Sequence, residues 1–430
     1  METIKSHAQQ IIKEVLKDNM PRQAVITALE NHKFSGNIHL VAVGKAAWTM
    51  TEAAVDFLGD KLKSGIIVTK YDHSFGPLPN IEIYESGHPV SDENTIIATQ
   101  KCVQLAEKLT AGDELLFLIS GGGSALFESP HDGISLEDLQ DVTKQLLAGG
   151  ADIVEMNMVR KRFSKVKAGG FASLAAPAKI FAIVLSDVLG DRLDSIASGP
   201  AAPDQSTKED ALKVVEKYNL KLTDAQNKYL LKETPKTVDN VETVITGSVR
   251  TLCESASKIA RELGYTPYVL TTTLNCEASE AGRMLASIAA DVQGEAGLSG
   301  QAGQVGQVGQ NSAFKRPCAI IAGGETVVTI KGSGKGGRNQ ELALAAARGI
   351  SSLENTVIFS LGSDGTDGPT DAAGGIVDTK SLAQLKEQGL NIDKILSDND
   401  SYNGLKAIDG LIMTGPTGTN VNDVAVVLCG

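Results

Sequence analysis

Short, strongly apolar runs rich in β-branched residues alternate with amphipathic stretches through the first half of the chain: IHLVAV, GIIVT, IEIYES, ELLFLIS and KIFAIVLS. A strand buried on both faces reads as a continuous apolar run, and the spacing between these runs leaves room for crossover helices. The pattern predicts a largely parallel, open Rossmann-like sheet covered on both sides. Around 203–240 the apolar runs give way to a polar stretch carrying Pro203 and Pro235, and a second alternation starts at VETVIT. A chain of 430 residues has room for two or three domains. The expected division is therefore an N-terminal α/β domain over 1–238 and a C-terminal α/β domain over 239–430. In the second, CAIIAGG and TVVTIKG follow each other too closely for a crossover helix, which predicts a mixed sheet. The active site is expected in the cleft between the domains, with the extreme C-terminus free to return to it.

Charge narrows the partners. With 52 Asp and Glu against 40 Lys and Arg, the net charge of −12 argues against a nucleic-acid or membrane partner, since both would need a basic field. An anionic small molecule would have to be held by locally placed cations. The five cysteines form no C-x-x-C pair, so buried thiols in a reducing compartment are expected, without a disulfide framework or a thiolate zinc site. The N-terminus METIKSHAQQ has no apolar signal-like core, and no apolar run approaches the roughly 18 residues of a membrane span, so a cytoplasmic protein is expected.

The 44 glycines, one residue in ten against a usual share of about 7%, concentrate where strands end. Val41-Ala42-Val43-Gly44-Lys45 delivers a lysine at the carboxyl end of a strand, where open α/β folds bind ligands; a snorkelling surface lysine would look the same. Ser120-Gly121-Gly122-Gly123-Ser124 follows a fully apolar strand, and only glycine brings backbone amides this close to phosphate or carboxylate oxygens. Ser186-Asp187 ends a third strand, where an aspartate can take a hydroxyl proton, hold a metal or cap the next segment. Ser198-Gly199-Pro200 is placed to close the same wall. Arg160, Lys161, Arg162, Lys165 and Lys167 crowd one short stretch of an acidic chain, as a solvated face or as an anion-steering element.

In the second half, Gly332-Ser333-Gly334-Lys335-Gly336-Gly337 matches the form of a dinucleotide fingerprint, but the acid that should end the next strand is missing. A flexible phosphate-facing loop fits better, with Arg338 opening the following helix as a forked, permanent cation. Asp364 and Asp367, in a glycine-rich loop after TVIFSL, suit Mg²⁺ or Asx-turns equally. Thr417 and Asn420 lie in another strand-terminal loop. From 294 to 309 a glycine recurs at every third position without proline, which predicts a flexible insert (about 294–310) and not a collagen-like helix.

Taken together, VGKAA (43–47), SGGGSAL (120–126), N-x-VRK (157–161), LSDV-x-GD (185–191), SGP (198–200), GGRNQELAL (336–344), GSDGTDGPTDAAG (362–374) and TGPTGTNVNDV (414–424) resemble the class II glycerate 2-kinases, whose C-terminal half is the MOFRL domain. The resemblance implies phosphorylation of D-glycerate at its 2-hydroxyl, with ATP and Mg²⁺. It implies Lys45, Asp187 and Arg338 as catalytic groups; Asp364 and Asp367 are, from the residues themselves, the candidate metal ligands. Gly44, Ser120, Gly121, Gly122, Gly123, Ser124, Arg160, Lys161, Gly336, Gly337, Thr417 and Asn420 would line the substrate and nucleotide sites. The partners expected are small molecules, and the protein a monomer or homodimer. Two departures stand out: around 160–170, Arg162-Phe163 replace the usual His-Leu and Ala168 the first glycine, and the 294–309 insert is not part of the usual pattern. The rival activities are an NAD(P)-dependent hydroxypyruvate reductase and a non-catalytic anion binder.

Overall fold

The computed structural model describes residues 2–186, 188, 190, 192–294 and 313–430. Asp187 and nearly all of the glycine-periodic insert therefore lie outside the described residues. The chain divides into two compact units, Pro21–Thr246 and a second one made of Met1–Met20 with Gly247–Gly430.

The first unit is built on a six-stranded sheet in the order β3-β2-β1-β4-β5-β6, where β1 is Asn37–Val43, β2 Leu62–Lys70, β3 Ile81–Ser86, β4 Asp113–Ile119, β5 Lys179–Leu185 and β6 Val241–Gly247. All pairings from β3 to β5 are parallel. Because side chains alternate along a strand, the apolar runs feed two cores. Val41, Val43, Phe117 and Ile119 pack on one face with Phe127 and Phe171, while Leu40, Ala42, Leu116 and Leu118 pack on the other with Trp48 and Met50. VETVIT, expected to open the second domain, is instead the sixth strand of this sheet, and the division falls after Thr246, not at 238.

The second unit carries a mixed sheet in the order β11-β10-β9-β12-β8-β7, with β7 Thr266–Leu274, β8 Cys318–Gly324, β9 Thr356–Gly362, β10 Gly374–Asp378, β11 Leu411–Ile412 and β12 Asp423–Cys429. β7 and β8 are parallel and the remaining pairs antiparallel. The sheet is mixed for a reason other than the expected one. TVVTIKG forms no strand, since the amides of Val327 and Thr329 bond to the Cys276 carbonyl and the Glu277 carboxylate. The C-terminal residues, expected to be free to return to the cleft, form the fully buried central strand β12. The N-terminal helix Glu2–Asp18 belongs to this unit, where His7 bonds to the Tyr265 hydroxyl and Asp18 to Ser255. The cysteines are free thiols, and four of the five are buried. Among the described residues no helix is long and apolar enough to cross a membrane.

Candidate active site

The strand order of the first sheet reverses at β1, since the chain runs outward through β2 and β3 and returns on the other side of β1 as β4. Open α/β sheets bind ligands at the carboxyl ends of the strands flanking such a reversal. The two glycine loops meet there. The Lys45 amide donates to the Gly121 carbonyl at 2.9 Å, and the Ser120 amide to the Val43 carbonyl at 2.9 Å. Ser120 Oγ accepts the Ala46 amide at 3.1 Å and donates to Val43 at 3.3 Å, so this buried hydroxyl ties the loops together and is not presented to a ligand. Gly44 has φ 116°, and a Cβ there would lie 2.3 Å from Ser120 Oγ. Gly122 has φ 86°, and a Cβ would lie 3.0 Å from the His88 ring and 3.3 Å from Lys45 Cγ.

Lys45 is half-buried, and its ammonium has no acceptor among the described residues. Behind it, helix Ala47–Leu58 starts without a capping side chain at Ala46. A cation without a counter-charge among the described residues and a helix N-terminus without a side-chain cap therefore adjoin the same loop, an arrangement that favours anions.

Ser198 does reach this wall: its hydroxyl lies 2.9 Å from that of Ser124 and 3.4 Å from Asn157 Oδ1. Ala197 and Ser198 hold left-handed φ angles of 51° and 62°, conformations that residues with a side chain rarely adopt. Lys167 Nζ donates to the Ser124 carbonyl at 2.6 Å and pairs with Glu128 at 2.9 Å, both side chains being almost fully buried. Burial pushes the Lys167 ammonium down in pKa while Glu128 holds it up, and burial prevails.

Three of the five cations in the run, Lys161, Arg162 and Lys167, are buried in the fold and form neither a solvated face nor a steering patch. Lys161 is buried between Asp204 and Asp194 at 3.4 and 3.6 Å, which removes it from the expected ligand contacts. Arg162, standing where the family has histidine, donates to the carbonyls of Lys232 and Ser206 at 2.6 and 2.9 Å. Lys165 pairs with Asp132. Of the five, Arg160 alone has no partner among the described residues, and it is half-buried.

The second unit treats its expected site residues differently. Arg338 forms a two-pronged pair with Asp423, at 2.6 and 3.1 Å, and a third bond to Glu325 at 2.9 Å. Burial would lower its pKa, but Asp423 outweighs burial and the guanidinium is held charged. Two carboxylates against one guanidinium leave this group net negative, so Arg338 is not the free anion holder expected of it. Asp367 is buried, and its two oxygens accept the amides of Asn339 at 3.1 Å and Gln340 at 2.8 Å. It caps helix Arg338–Ala346, whose N-cap residue Gly337 has no side chain to do so. Asp364 closes an Asx-turn onto the Thr366 amide at 3.0 Å. Among the described residues no group of three or more His, Cys, Asp or Glu is placed to hold a metal ion, and Asp364 with Asp367 does not fit a resident magnesium.

The 332–337 loop is neither a dinucleotide fingerprint nor a flexible loop facing phosphate. The amides of Ser333 and Lys335 bond to the carboxylates of Asp398 and Asp400 at 2.9 Å, that of Gly334 to the Asp398 carbonyl at 2.8 Å and that of Gly332 to Asn399 at 3.0 Å. Gly336 and Gly337 are closed in by Ser401 and Asp367. Thr417 donates to the Ser363 carbonyl at 2.5 Å and so ties its loop to the one after β9, while Asn420 accepts the Asn422 amide at 3.4 Å within its own loop.

Residues 7–231 match a family model described as a domain of unknown function, DUF4147, and residues 318–423 match the MOFRL family. The D-glycerate 2-kinase of Thermotoga maritima is 50% identical over 427 residues, 99% of each chain. A crystal structure titled as a glycerate kinase from the same organism superposes with a TM-score of 0.93 at 49% identity, covering 100% of both chains. A putative hydroxypyruvate reductase of Agrobacterium vitis is 36% identical over 420 residues, covering 95% of this chain and 91% of its own.

Proposed function

The chain belongs to the type-2 glycerate kinase family, and from that premise we propose that it transfers the γ-phosphoryl group of ATP to the 2-hydroxyl of D-glycerate, giving 2-phosphoglycerate and ADP. The observation that carries this reading is Lys45, without an acceptor among the described residues, set where two glycine loops meet at the reversal point of the N-terminal sheet. Phosphoryl transfer asks for positioning and positive charge more than for covalent machinery. Lys45 supplies the charge, and the amides of Gly121–Gly123 and of the uncapped helix supply the cradle.

In the reaction the substrate 2-oxygen loses its proton and forms a bond to the γ-phosphorus, while the bond from that phosphorus to the β,γ-bridging oxygen breaks and ADP leaves. Asp187 is our candidate to accept the proton, on the sequence alone, because it follows the carboxyl end of β5. Magnesium enters as the ATP complex and not as a resident ion. Arg338 keeps Asp423 and Glu325 in place and acts at a distance from the chemistry, as a positioning residue. The same reading takes the protein as an enzyme of small-molecule substrates, with a cytoplasmic location and a monomeric or homodimeric state as part of the proposal.

The test is ADP release from ATP with D-glycerate, with the product identified by ³¹P NMR. A phosphorus signal on the 2-oxygen is expected; 3-phosphoglycerate or no ADP would sink the proposal. Absorbance at 340 nm with hydroxypyruvate and NADH should stay constant, and a steady fall would favour the reductase.

A further inference from the structure

On the β2 and β3 side of Lys45 the same sheet edge carries basic groups to which no role has been given. Lys70 is the last residue of β2, half-buried and without an acceptor among the described residues. His73, in the loop that follows, lies with Nδ1 3.2 Å from the Lys45 carbonyl. His88, just after β3, packs its ring over Gly122 with no hydrogen-bond partner among the described residues, and Gly122 is also where the Lys45 stem rests. Four strand ends, from β1, β2, β3 and β4, thus bring Lys45, Lys70, His73, His88 and a bare glycine to one corner.

The carboxylates nearby are committed to building that corner. Glu85 accepts the Ser74 hydroxyl at 2.7 Å and its amide at 3.0 Å, fixing the His73 loop. Burial raises its pKa, but those bonds outweigh burial and keep it ionised. Asp92 accepts the Tyr71 hydroxyl at 2.6 Å and caps helix Glu93–Ala106 through the Thr95 amide at 2.9 Å. Asp72 is exposed on its turn. Lys45, Lys70 and the His88 ring are left without a polar partner among the described residues, so the corner can supply charge and a hydrogen bond to an anionic ligand.

We propose that Lys70 and His88, beside Lys45, hold the carboxylate of the 2-hydroxy acid, so that these two residues set affinity for the acid substrate and not for ATP. The proposal rests on the kinase reading for the identity of the acid. Burial, with Lys45, Lys70 and His73 around it, lowers the His88 pKa to about 4, so the ring is neutral near pH 7. A neutral imidazole offers a hydrogen bond without adding charge, which matches a singly charged carboxylate. The polyanionic phosphate chain is better matched by Lys45 and the glycine amides.

The experiment compares Lys70→Met, Lys70→Arg and His88→Gln with the wild-type chain, by steady-state kinetics and by calorimetric titration of D-glycerate. Neither side chain has a hydrogen-bond or ion-pair partner among the described residues, so the melting temperature should stay close to the wild-type value. The KM for D-glycerate should rise on the order of tenfold in Lys70→Met and His88→Gln, with the KM for ATP unchanged and Lys70→Arg recovering part of the loss. Unchanged glycerate affinity overturns the proposal, and a raised KM for ATP alone reassigns the corner to phosphate and overturns it too. If the wild type releases no ADP the kinase reading fails, and the titration still decides whether this corner binds the acid.

Discussion

The carboxyl edge of the N-terminal sheet and the glycine loops of the C-terminal unit look alike in sequence, each a strand followed by glycines and a cation, but the fold treats their charges in opposite ways. Lys45, Lys70 and Arg160 have no counter-charge among the described residues. Arg338 faces two carboxylates, and Asp367 is consumed as a helix cap. On the proposed reading, a cation left unpaired and half-buried is kept for a ligand, whereas one that is ion-paired on its own unit serves the fold. Pairing within the fold, more than residue type, would then separate the residues that bind from those that support.

The sharpest way to break this contrast is to remove a paired cation. Lys167→Met should cost about 3–5 kcal/mol in denaturant unfolding, because Glu128 would be left charged and buried; a loss below about 1 kcal/mol would mean the pair is not structural. Asp367→Ala should cost about 1–2 kcal/mol through the lost cap, with no change in the magnesium dependence of turnover. A raised magnesium requirement would return Asp367 to the metal. The smallest effect is at Ala168, which holds φ 55° where the family has glycine. Ala168→Gly should stabilise by about 0.5–1 kcal/mol, since glycine relieves the left-handed strain; a lower melting temperature would show that the buried methyl group contributes more than the strain costs.

Much of this was legible in the sequence. The two α/β folds follow from apolar runs of strand length, and Gly44-Lys45 with Gly121–Gly123 lay where a reversing parallel sheet must put its ligands. The partners of the cations were not legible. Lys161 meets Asp204, 43 residues away, and Arg338 meets Asp423, 85 residues away; no local spacing encodes such pairs. VETVIT was placed in the wrong unit because an edge strand carries the same pattern in either sheet. His88 was missed although only Gly87 separates it from IEIYES, since one histidine at a strand end becomes informative only when Gly122 is seen beneath it.

The central claim, that an unpaired cation serves the ligand and a paired one the fold, is tested most directly by Lys45→Met and Arg338→Met measured side by side for kcat/KM and melting temperature. Lys45→Met should lose on the order of 10²–10³-fold in kcat/KM at a wild-type melting temperature. Arg338→Met should lose about 3–5 kcal/mol of stability by stranding Asp423. Wild-type turnover in Lys45→Met, or an unchanged melting temperature in Arg338→Met, would contradict the account.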